Sequence, residues 1–452
     1  MSVTERLCAR FAAWGAADLP QKTIAAAQPL VADGIAVALA GSGETGPRLL
    51  AAHLRDMGGT PMASALGMGF RTSLVQATAL NGTSMHVLDY EPMWSPANHA
   101  VSTTLPAVLA LAEARQASGR ELLTALVKGC EMQGLIRAAS GQYLPRHIRF
   151  HPPGVVGVMG AAVAAGHLLG LDGEALQRAL GIAGSRAGSL ISNVGTMTKA
   201  THCGHAAAMG LEAALLAGRG FTANPAILDE GGAYSEVFFG LAFPEDVLLG
   251  SRPPYRVVEP GYAIKLFPSQ YATHFGITAG LAMHGRVPQV ERVRRVTLVT
   301  PVMPYVDRPK PKDGLDGKFS LQYTAVSALL DGQVTVETFA NDQRFRPAVE
   351  RLLACTTLEQ SEEIGATFET MHVELTVALD DGTVFTERCD KPRGAWGGPR
   401  LTPEDHQEKV RACLATVLDG DATARCIDLA GRCFDLSPAE VGELMTLLRH
   451  DG

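Results

Sequence analysis

The sequence predicts a mainly α-helical protein with two domains, a large all-helical domain and a smaller α+β domain. Three observations support this prediction. The 452 residues exceed the roughly 250 to 300 at which one hydrophobic core stops growing. Up to about residue 250, apolar residues recur every three or four positions, the period of amphipathic helices. After about residue 287, apolar and polar residues alternate, the period of strands. We therefore divide the chain into an all-helical domain at 1–266 and an α+β domain at 267–402.

The first domain carries the helical period most clearly at 21–41, 121–140, 155–170 and 205–220. Three of these stretches end in glycine, the residue that most often closes a helix in the left-handed conformation. Alanine and glycine are also frequent inside them, and each internal glycine costs about 1 kcal/mol relative to alanine. We expect close contact between helices to offset that cost, so the sequence predicts compact helical packing.

The second domain is predicted from two alternating stretches, at 289–301 and 371–388. The latter is interrupted by Asp-Asp-Gly at 380–382, which indicates a β-hairpin. Between the two stretches, 319–332 and 346–356 have helical spacing. A strand, two helices and a hairpin predict a small α+β unit.

The end of the chain returns to helical spacing. Residues 391–405 are rich in Gly and Pro and predict a loop, whereas 402–418 and 437–450 predict helices. The last helix starts with Ser437 and has Glu440 three positions later, the pattern of a capping box. Periodicity leaves open whether these helices pack on the α+β unit or return to the helical domain.

Composition excludes several classes of function. The chain has 39 basic and 46 acidic residues, a net charge of −7, without the basic stripe that nucleic-acid binding requires. Its longest apolar runs are shorter than the roughly 18 to 20 residues of a membrane span, and the first residues lack the pattern of an export signal. We expect a cytoplasmic protein with neither nucleic-acid nor membrane partners.

The 8 cysteines include no C-x-x-C pair, which argues against a zinc knuckle or a redox dithiol. Cys203 lies between His202 and His205 and leaves a reactive thiol open as an alternative. Those two histidines could share one helix face and bind a metal, but Lys199, one turn earlier, would repel a cation. We therefore predict no metal and no cofactor. Nucleotide-binding and serine-hydrolase motifs are not found in the sequence.

Four segments concentrate ionisable side chains in apolar surroundings, and each lies between predicted helices, where irregular backbone can direct side chains into a shared cavity. For each segment alone a structural role is the alternative; the long stem of Lys265, for example, could reach past Phe267 to water. Four together favour a site. They are 85–100 (His86, Asp89, Tyr90, Glu91, His99), 146–157 (His147, Arg149, His151), 195–206 (Lys199, His202, His205) and 264–274 (Lys265, His274).

These residue types suit proton transfer next to a carboxylate. Such a reaction builds negative charge on oxygens that are already charged, so it requires cationic donors and a nearby base. Lys199, Lys265 and Arg149 could hold the charge. Asp89, or a neutral histidine among His99, His151 and His202, could be the base, since histidine titrates near neutral pH.

At these segments the sequence resembles the MmgE/PrpD family, whose members include 2-methylcitrate dehydratase, cis-aconitate decarboxylase and iminodisuccinate epimerase. The resemblance implies an all-helical domain completed by 403–452, a smaller α+β lid domain, an active site between them and a homodimer. The matching stretches are "NGTSMHVLDY" (81–90), "NHAVSTTLPA" (98–107), "FHPPGVVGVMGAA" (150–162), "GTMTKATHCGHAAAMG" (195–210), "GYAIKLFPSQYATH" (261–274) and "KFSLQYTAVSALLDG" (318–332).

The resemblance also implies roles for single residues. Lys265 matches a pocket residue of the decarboxylase and is expected to clamp a substrate carboxylate, so that Lys265→Ala would abolish activity and leave folding intact. The other pocket residues implied in this way are Asp89, His99, His151, Lys199 and Tyr323.

Two positions depart from the family pattern. Met93 replaces the threonine of the usual D-[FY]-D-D-T motif, and Gln270 replaces a histidine of the decarboxylase. Since neither side chain can transfer a proton, these departures indicate a substrate with a different polar pattern.

The sequence therefore predicts a cofactor-independent and metal-independent lyase, a dehydratase or decarboxylase, that acts on a small di- or tricarboxylate. An epimerase or isomerase of a dicarboxylate, for example an iminodisuccinate-like substrate, and a non-catalytic carboxylate-binding protein are the alternatives. The predicted catalytic residues are His151, Lys199, Asp89 and His99, and the predicted substrate-binding residues are Lys265, His202, Tyr323, Arg149 and Gln270.

Overall fold

The computed structural model describes residues 1–94, 96–399 and 401–450. These residues form a large helical body and a smaller unit in which helices cover one four-stranded sheet, so the predicted fold class is confirmed. Each part has its own hydrophobic core.

The helices are α1 (Val3–Ala13), α2 (Gln21–Ser42), α3 (Thr45–Met57), α4 (Leu74–Val87), α5 (Ala100–Arg115), α6 (Gly119–Ala139), α7 (Pro152–Leu169), α8 (Gly173–Gly184), α9 (Met197–Ala217), α10 (Tyr234–Phe239), α11 (Glu245–Leu248), α12 (Thr273–His284), α13 (Gly314–Gly317), α14 (Leu321–Asp331), α15 (Asn341–Arg344), α16 (Pro347–Ala354), α17 (Pro403–Leu414), α18 (Gly420–Gly431) and α19 (Pro438–Arg449). The strands are β1 (Ala63–Ala65), β2 (Phe70–Thr72), β3 (Met93–Trp94), β4 (Tyr262–Ala263), β5 (Val293–Pro301), β6 (Thr356–Ser361), β7 (Val373–Leu379) and β8 (Val384–Cys389).

Small residues let the central helices of the body approach closely. A Cβ added to Gly82 in α4 would lie 2.6 Å from the Cα of Gly204 in α9, a distance that no real side chain tolerates. A Cβ added to Gly210 in α9 would likewise lie 2.4 Å from the carbonyl oxygen of Val158 in α7. The glycines noted in the sequence therefore set the spacing of α4, α7 and α9, the helices whose ends carry much of the site described below.

The C-terminal helices pack on the helical body. Val410, Leu414, Leu429 and Leu444 are buried in the same core as the N-terminal helices. The Lys409 ammonium of α17 donates hydrogen bonds of 3.0 and 2.8 Å to both carboxylate oxygens of Asp33 in α2. These contacts place the C-terminal helices against the helical body.

The smaller unit is built on a sheet with strand order β6-β5-β7-β8. β5 pairs parallel to β6 and antiparallel to β7, and β7 and β8 form the predicted hairpin, in which Gly382 has a φ of 87°. Edge strand β6 was not predicted, because its sequence contains one apolar residue, Leu358, and so shows no apolar alternation. Met93, from the helical part of the sequence, is buried in the core of this unit.

Two helices, α2 and α7, are long and apolar enough to cross a membrane by length and composition alone. Within the protein their most apolar windows are 72% and 78% buried. Both are central core helices of the body, which accounts for their composition.

Candidate active site

A cavity of about 800 Å³ lies between the helical body and the smaller unit. The body contributes polar groups at its inner wall, and the smaller unit contributes mainly apolar and aromatic groups. The lining residues from the body include Asp89, Met93, His99, Tyr143, Arg146, His151 and Lys199, and those from the smaller unit include Gln270, Tyr271, Val302, Tyr305, Arg308, Phe319 and Phe368.

Asp89 is the centre of the polar wall. It directly follows the end of α4 and has a φ of 50°, a left-handed conformation that Asp adopts more readily than most residues. Its carboxylate accepts hydrogen bonds from the ammonium groups of Lys199 and Lys265. Burial by itself would raise the pKa of Asp89, but the two lysines outweigh it and hold that pKa well below its ordinary value. Asp89 is therefore a carboxylate shared between two ammonium groups.

The two lysines have different surroundings. Lys199, in the first turn of α9, lines the cavity. Lys265 is 0% exposed and lies behind Asp89, where its ammonium also donates to the carbonyl oxygens of Asp89 at 2.7 Å and Ser269 at 3.2 Å. Lys265 is not among the residues that line the cavity, and the carboxylate clamp expected of it stays a prediction.

Glu91 connects two histidines beside Asp89. The fully buried Glu91 Oε1 accepts a hydrogen bond from His86 Nδ1 at 2.5 Å and lies 3.0 Å from His99 Nδ1, and Ser102 Oγ donates to it at 3.0 Å. Burial lowers the pKa of His86 to about 4, against the opposing effect of Glu91. His86 is therefore a neutral ring with its proton on Nδ1. No role was predicted for Glu91, although it occupies the third position of the D-[FY]-D-D-T pattern that begins at Asp89.

His151 and His202 form a second pair of imidazoles. Their Nδ1 atoms are 3.2 Å apart, so one nitrogen donates and the other accepts. His151, at the N-cap of α7, lines the cavity, whereas His202 lies behind it. Burial and then Lys199 hold the pKa of His151 well below its usual value, and the same two causes lower that of His202 to about 4. His151 thus presents a buried imidazole to the cavity.

Three other predicted residues have contrasting positions. Gln270 lines the cavity, and its Oε1 accepts a hydrogen bond of 2.6 Å from the backbone N–H of Ala272 at the start of α12. Tyr323 is buried away from the cavity and donates its hydroxyl to the carbonyl oxygen of Thr338. Arg149 is exposed and does not line the cavity. Gln270 therefore lines the cavity, whereas Tyr323 and Arg149 do not.

Arg146, Tyr305 and Arg308 line the cavity although the sequence analysis did not select them. Arg308 forms an ion pair with Asp316 and lies 5.4 Å from the centre of the Phe319 ring. Tyr305 and Arg308 belong to the irregular segment after β5, where no periodic pattern marks a side chain as facing a site.

Several of these groups are close enough together to share a metal ion. Nitrogen atoms of His86, His99 and His151 lie within 4.8 Å of one another, and so do ligand atoms of Asp89, Glu91 and His99. A third set contains Cys203, but burial raises the pKa of this thiol well above its ordinary value, which keeps it protonated. A metal bound by the first two sets would lie beside the ammonium group of Lys199, an arrangement that repulsion disfavours.

Comparisons with known proteins agree with this architecture. The profile of the MmgE/PrpD N-terminal domain matches residues 5–245, and that of the MmgE/PrpD C-terminal domain matches residues 267–436. Cis-aconitate decarboxylase of Mus musculus is 36% identical over 383 residues, which cover 82% of this chain and 78% of the mouse protein. The Homo sapiens enzyme of the same name is 34% identical over 385 residues (82% and 79%), and that of Aspergillus terreus is 26% identical over 473 residues (96% and 94%).

Proposed function

The chain belongs to the MmgE/PrpD family and is a lyase of that type, and from this premise we propose that it decarboxylates a small unsaturated tricarboxylate of the cis-aconitate class. One observation carries the proposal: an ammonium group, a paired carboxylate and two imidazoles meet at the inner wall of one cavity. The names of the mouse and human relatives support decarboxylation over dehydration as the first choice.

The reaction needs an anion site and a proton donor. In a propene tricarboxylate, the bond between the methylene carbon and its carboxylate breaks, and its electron pair forms a new double bond. The electron pair of the old double bond moves to the carbon next to a retained carboxylate, and a proton then adds there. One carbon dioxide leaves, and one proton is consumed. The developing charge spreads onto carboxylate oxygens, where a fixed cation stabilises it.

Lys199 is the group best placed to stabilise that charge. It lines the cavity and is held by Asp89, so its ammonium has a fixed position before substrate binds. Lys265 and Asp89 orient it from behind. In this scheme Lys199 contacts substrate, and Lys265 is a positioning residue.

His151 and His99 are the candidates for delivering the proton. Both line the cavity, and His99 lies 3.0 Å from the carboxylate of Glu91. A substrate with three negative charges favours protonated imidazoles close to it. In this scheme one of the two rings donates the proton to carbon.

We also propose that the reaction needs neither metal nor cofactor, because Lys199 supplies the positive charge that a metal would otherwise provide. Dialysis against EDTA should then leave the turnover rate unchanged. The homodimer stays a prediction, which light scattering on the purified chain would test.

The decisive experiment is incubation of the purified protein with cis-aconitate in deuterated water, followed by NMR. We expect a dicarboxylate product that contains one deuterium, with one carbon dioxide released per turnover. Lys199→Met should abolish the reaction, whereas Lys310→Met, which removes an exposed lysine, should not. Water release from a hydroxytricarboxylate without carbon dioxide would instead identify a dehydratase. Deuterium exchange into recovered cis-aconitate without release of carbon dioxide would show proton abstraction alone and would contradict the proposed decarboxylation.

A further inference from the structure

A second cavity, of about 390 Å³, lies on the other side of the catalytic wall. Asp89, Lys199 and Phe319 line both cavities and so form the wall between them. The reaction proposed above uses only the first cavity. The second is also lined by the first residues of α3 and α9 and by His86, Lys318 and Phe339.

Lys318 is the lysine of this cavity whose ammonium lacks a hydrogen-bond acceptor among the described residues, and His86 Nε2 lacks a partner there as well. Lys318 is 2% exposed, and its Nζ has no hydrogen-bond acceptor within residues 1–94, 96–399 and 401–450. Its ammonium lies 5.8 Å from the centre of the Phe339 ring, which lines the same cavity. A buried ammonium without an acceptor is costly, and an anion in the cavity would remove that cost.

Two long helices begin at the same place. The N-cap residues Glu44 of α3 and Thr196 of α9 make no side-chain capping hydrogen bond, so the first N–H groups of these helices lack that partner. The two helix starts are adjacent, since a Cβ on Gly46 would lie 3.6 Å from the Cβ of Met197. Helix N-termini carry partial positive charge and bind anions.

Four carboxylates line this cavity, and three of them already accept hydrogen bonds from groups of the protein. Asp89 is paired with two lysines, and Asp313 accepts a hydrogen bond from the backbone N–H of Asp316. Glu337 is exposed and accepts a hydrogen bond from Thr335 Oγ1. Half-buried Glu44 is thus the carboxylate that most directly opposes an anion. The two lysines that line the cavity are Lys199, which Asp89 pairs, and Lys318, so the charge of Glu44 acts mainly on Lys318.

We propose that the second cavity binds a small carboxylate-type oxyanion, held by the ammonium of Lys318 and the first backbone N–H groups of α3 and α9. The ligand would lie across the wall from the substrate and next to Lys199. The cavity is large enough for formate, acetate or bicarbonate, and the ligand class is a carboxylate distinct from the substrate in the first cavity.

Histidine ring signals in NMR can separate the two cavities. His86 lines the second cavity only, and His151 lines the first only. Sodium acetate and sodium bicarbonate would each be titrated into the intact protein at constant ionic strength, with sodium chloride and potassium phosphate as comparison anions. We expect acetate or bicarbonate to shift the His86 signals to saturation. Lys318→Met should weaken that apparent affinity at least tenfold, about 1.4 kcal/mol, whereas Lys310→Met should leave it unchanged.

Three results would overturn the proposal. The first is that the His86 signals of the wild-type protein do not move to saturation, a test that holds even if Lys318→Met fails to fold. The second is an equal response to chloride or a response to phosphate alone. The third is equal affinity in a folded Lys318→Met variant. Because the measurement requires no turnover, its outcome is independent of whether the proposed decarboxylation is correct.

Discussion

Replacing Lys265 with methionine tests the reasoning about the site most directly. The substitution keeps most of the apolar stem and removes a 0% exposed ammonium that donates to the Asp89 carboxylate and to two carbonyl oxygens. Removing one partner of a buried ion pair costs about 3 to 5 kcal/mol. Asp89 keeps Lys199 as a partner, so we expect the lower end, about 3 kcal/mol. Natural domains have about 5 to 15 kcal/mol of stability, so the variant should fold but unfold at lower urea concentration.

Activity should also fall, by a route that separates positioning from binding. Lys265 lies behind Asp89 and does not line the cavity, so its loss should disturb the position of Lys199. We expect kcat to fall at least tenfold, about 1.4 kcal/mol of barrier, with KM changed little. Urea unfolding followed by circular dichroism, together with steady-state decarboxylation rates, measures both effects.

Lys409→Met is the matched control. Lys409 is also a buried lysine that donates to a buried aspartate, and Asp33 keeps a second partner in His406 at 3.0 Å. It does not line either cavity of the wall. Because Lys409 also donates to the carbonyl oxygen of Tyr90 at 2.9 Å, next to Asp89, we expect a similar loss of stability and a smaller loss of kcat than in Lys265→Met. If Lys265→Met left stability unaltered and raised KM by orders of magnitude, Lys265 would contact substrate and our reading of the wall would be wrong.

Three further predictions follow from other buried groups. Burial raises the pKa of the Glu131 carboxyl to about 7 from an ordinary 4.5. The folded state therefore favours the protonated carboxyl, which contributes about 3 kcal/mol to the free energy of unfolding below pH 4.5. This contribution is lost as the pH rises through 7. Glu131→Gln should remove that slope from urea midpoints measured between pH 5 and 8, and an unchanged slope would contradict the assignment. Glu91→Gln should lower kcat at least tenfold with KM nearly constant, because His86 and His99 lose the carboxylate that orients them, and a rise in KM alone would argue against this role. Met93→Thr places a hydroxyl at the cavity wall. One new hydrogen bond to substrate, worth about 1 kcal/mol, should raise kcat/KM for cis-aconitate about fivefold. An unchanged kcat/KM would show that the hydroxyl does not bond to substrate.

The elements that the sequence predicted well are those whose signal is local. Helix α7 and the hairpin of β7 and β8 follow from apolar spacing and from Asp-Asp-Gly. The capping box of α19 is present as Ser437 and Glu440 suggested. Strand β6 was missed because Leu358 is the single apolar residue of its sequence, Thr-Thr-Leu-Glu-Gln-Ser, which therefore shows no apolar alternation.

The sequence also indicated the segments that form the site, but not which atoms face the cavity. It predicted Asp89, His99, His151 and Lys199 as site residues, and their side chains line one cavity. It also predicted a substrate contact for Lys265, whose ammonium pairs with Asp89 in the structure, and that contact stays a prediction. Asp89 and Lys265 both lie in irregular segments, where the direction of a side chain depends on its tertiary contacts.

By itself, the sequence determined the helical and strand periods, the two-part fold class and the family, since these follow from short-range spacing and ordered motifs. Only the tertiary structure decided which charges neutralise one another, because the partners of Asp89 are 110 and 176 residues away along the chain. It also decided that one wall separates two cavities, with Lys318 unpaired among the described residues of the second. The physical reason is that burial and Coulomb energies depend on distance in space, and distances between remote segments are set only when the helices pack.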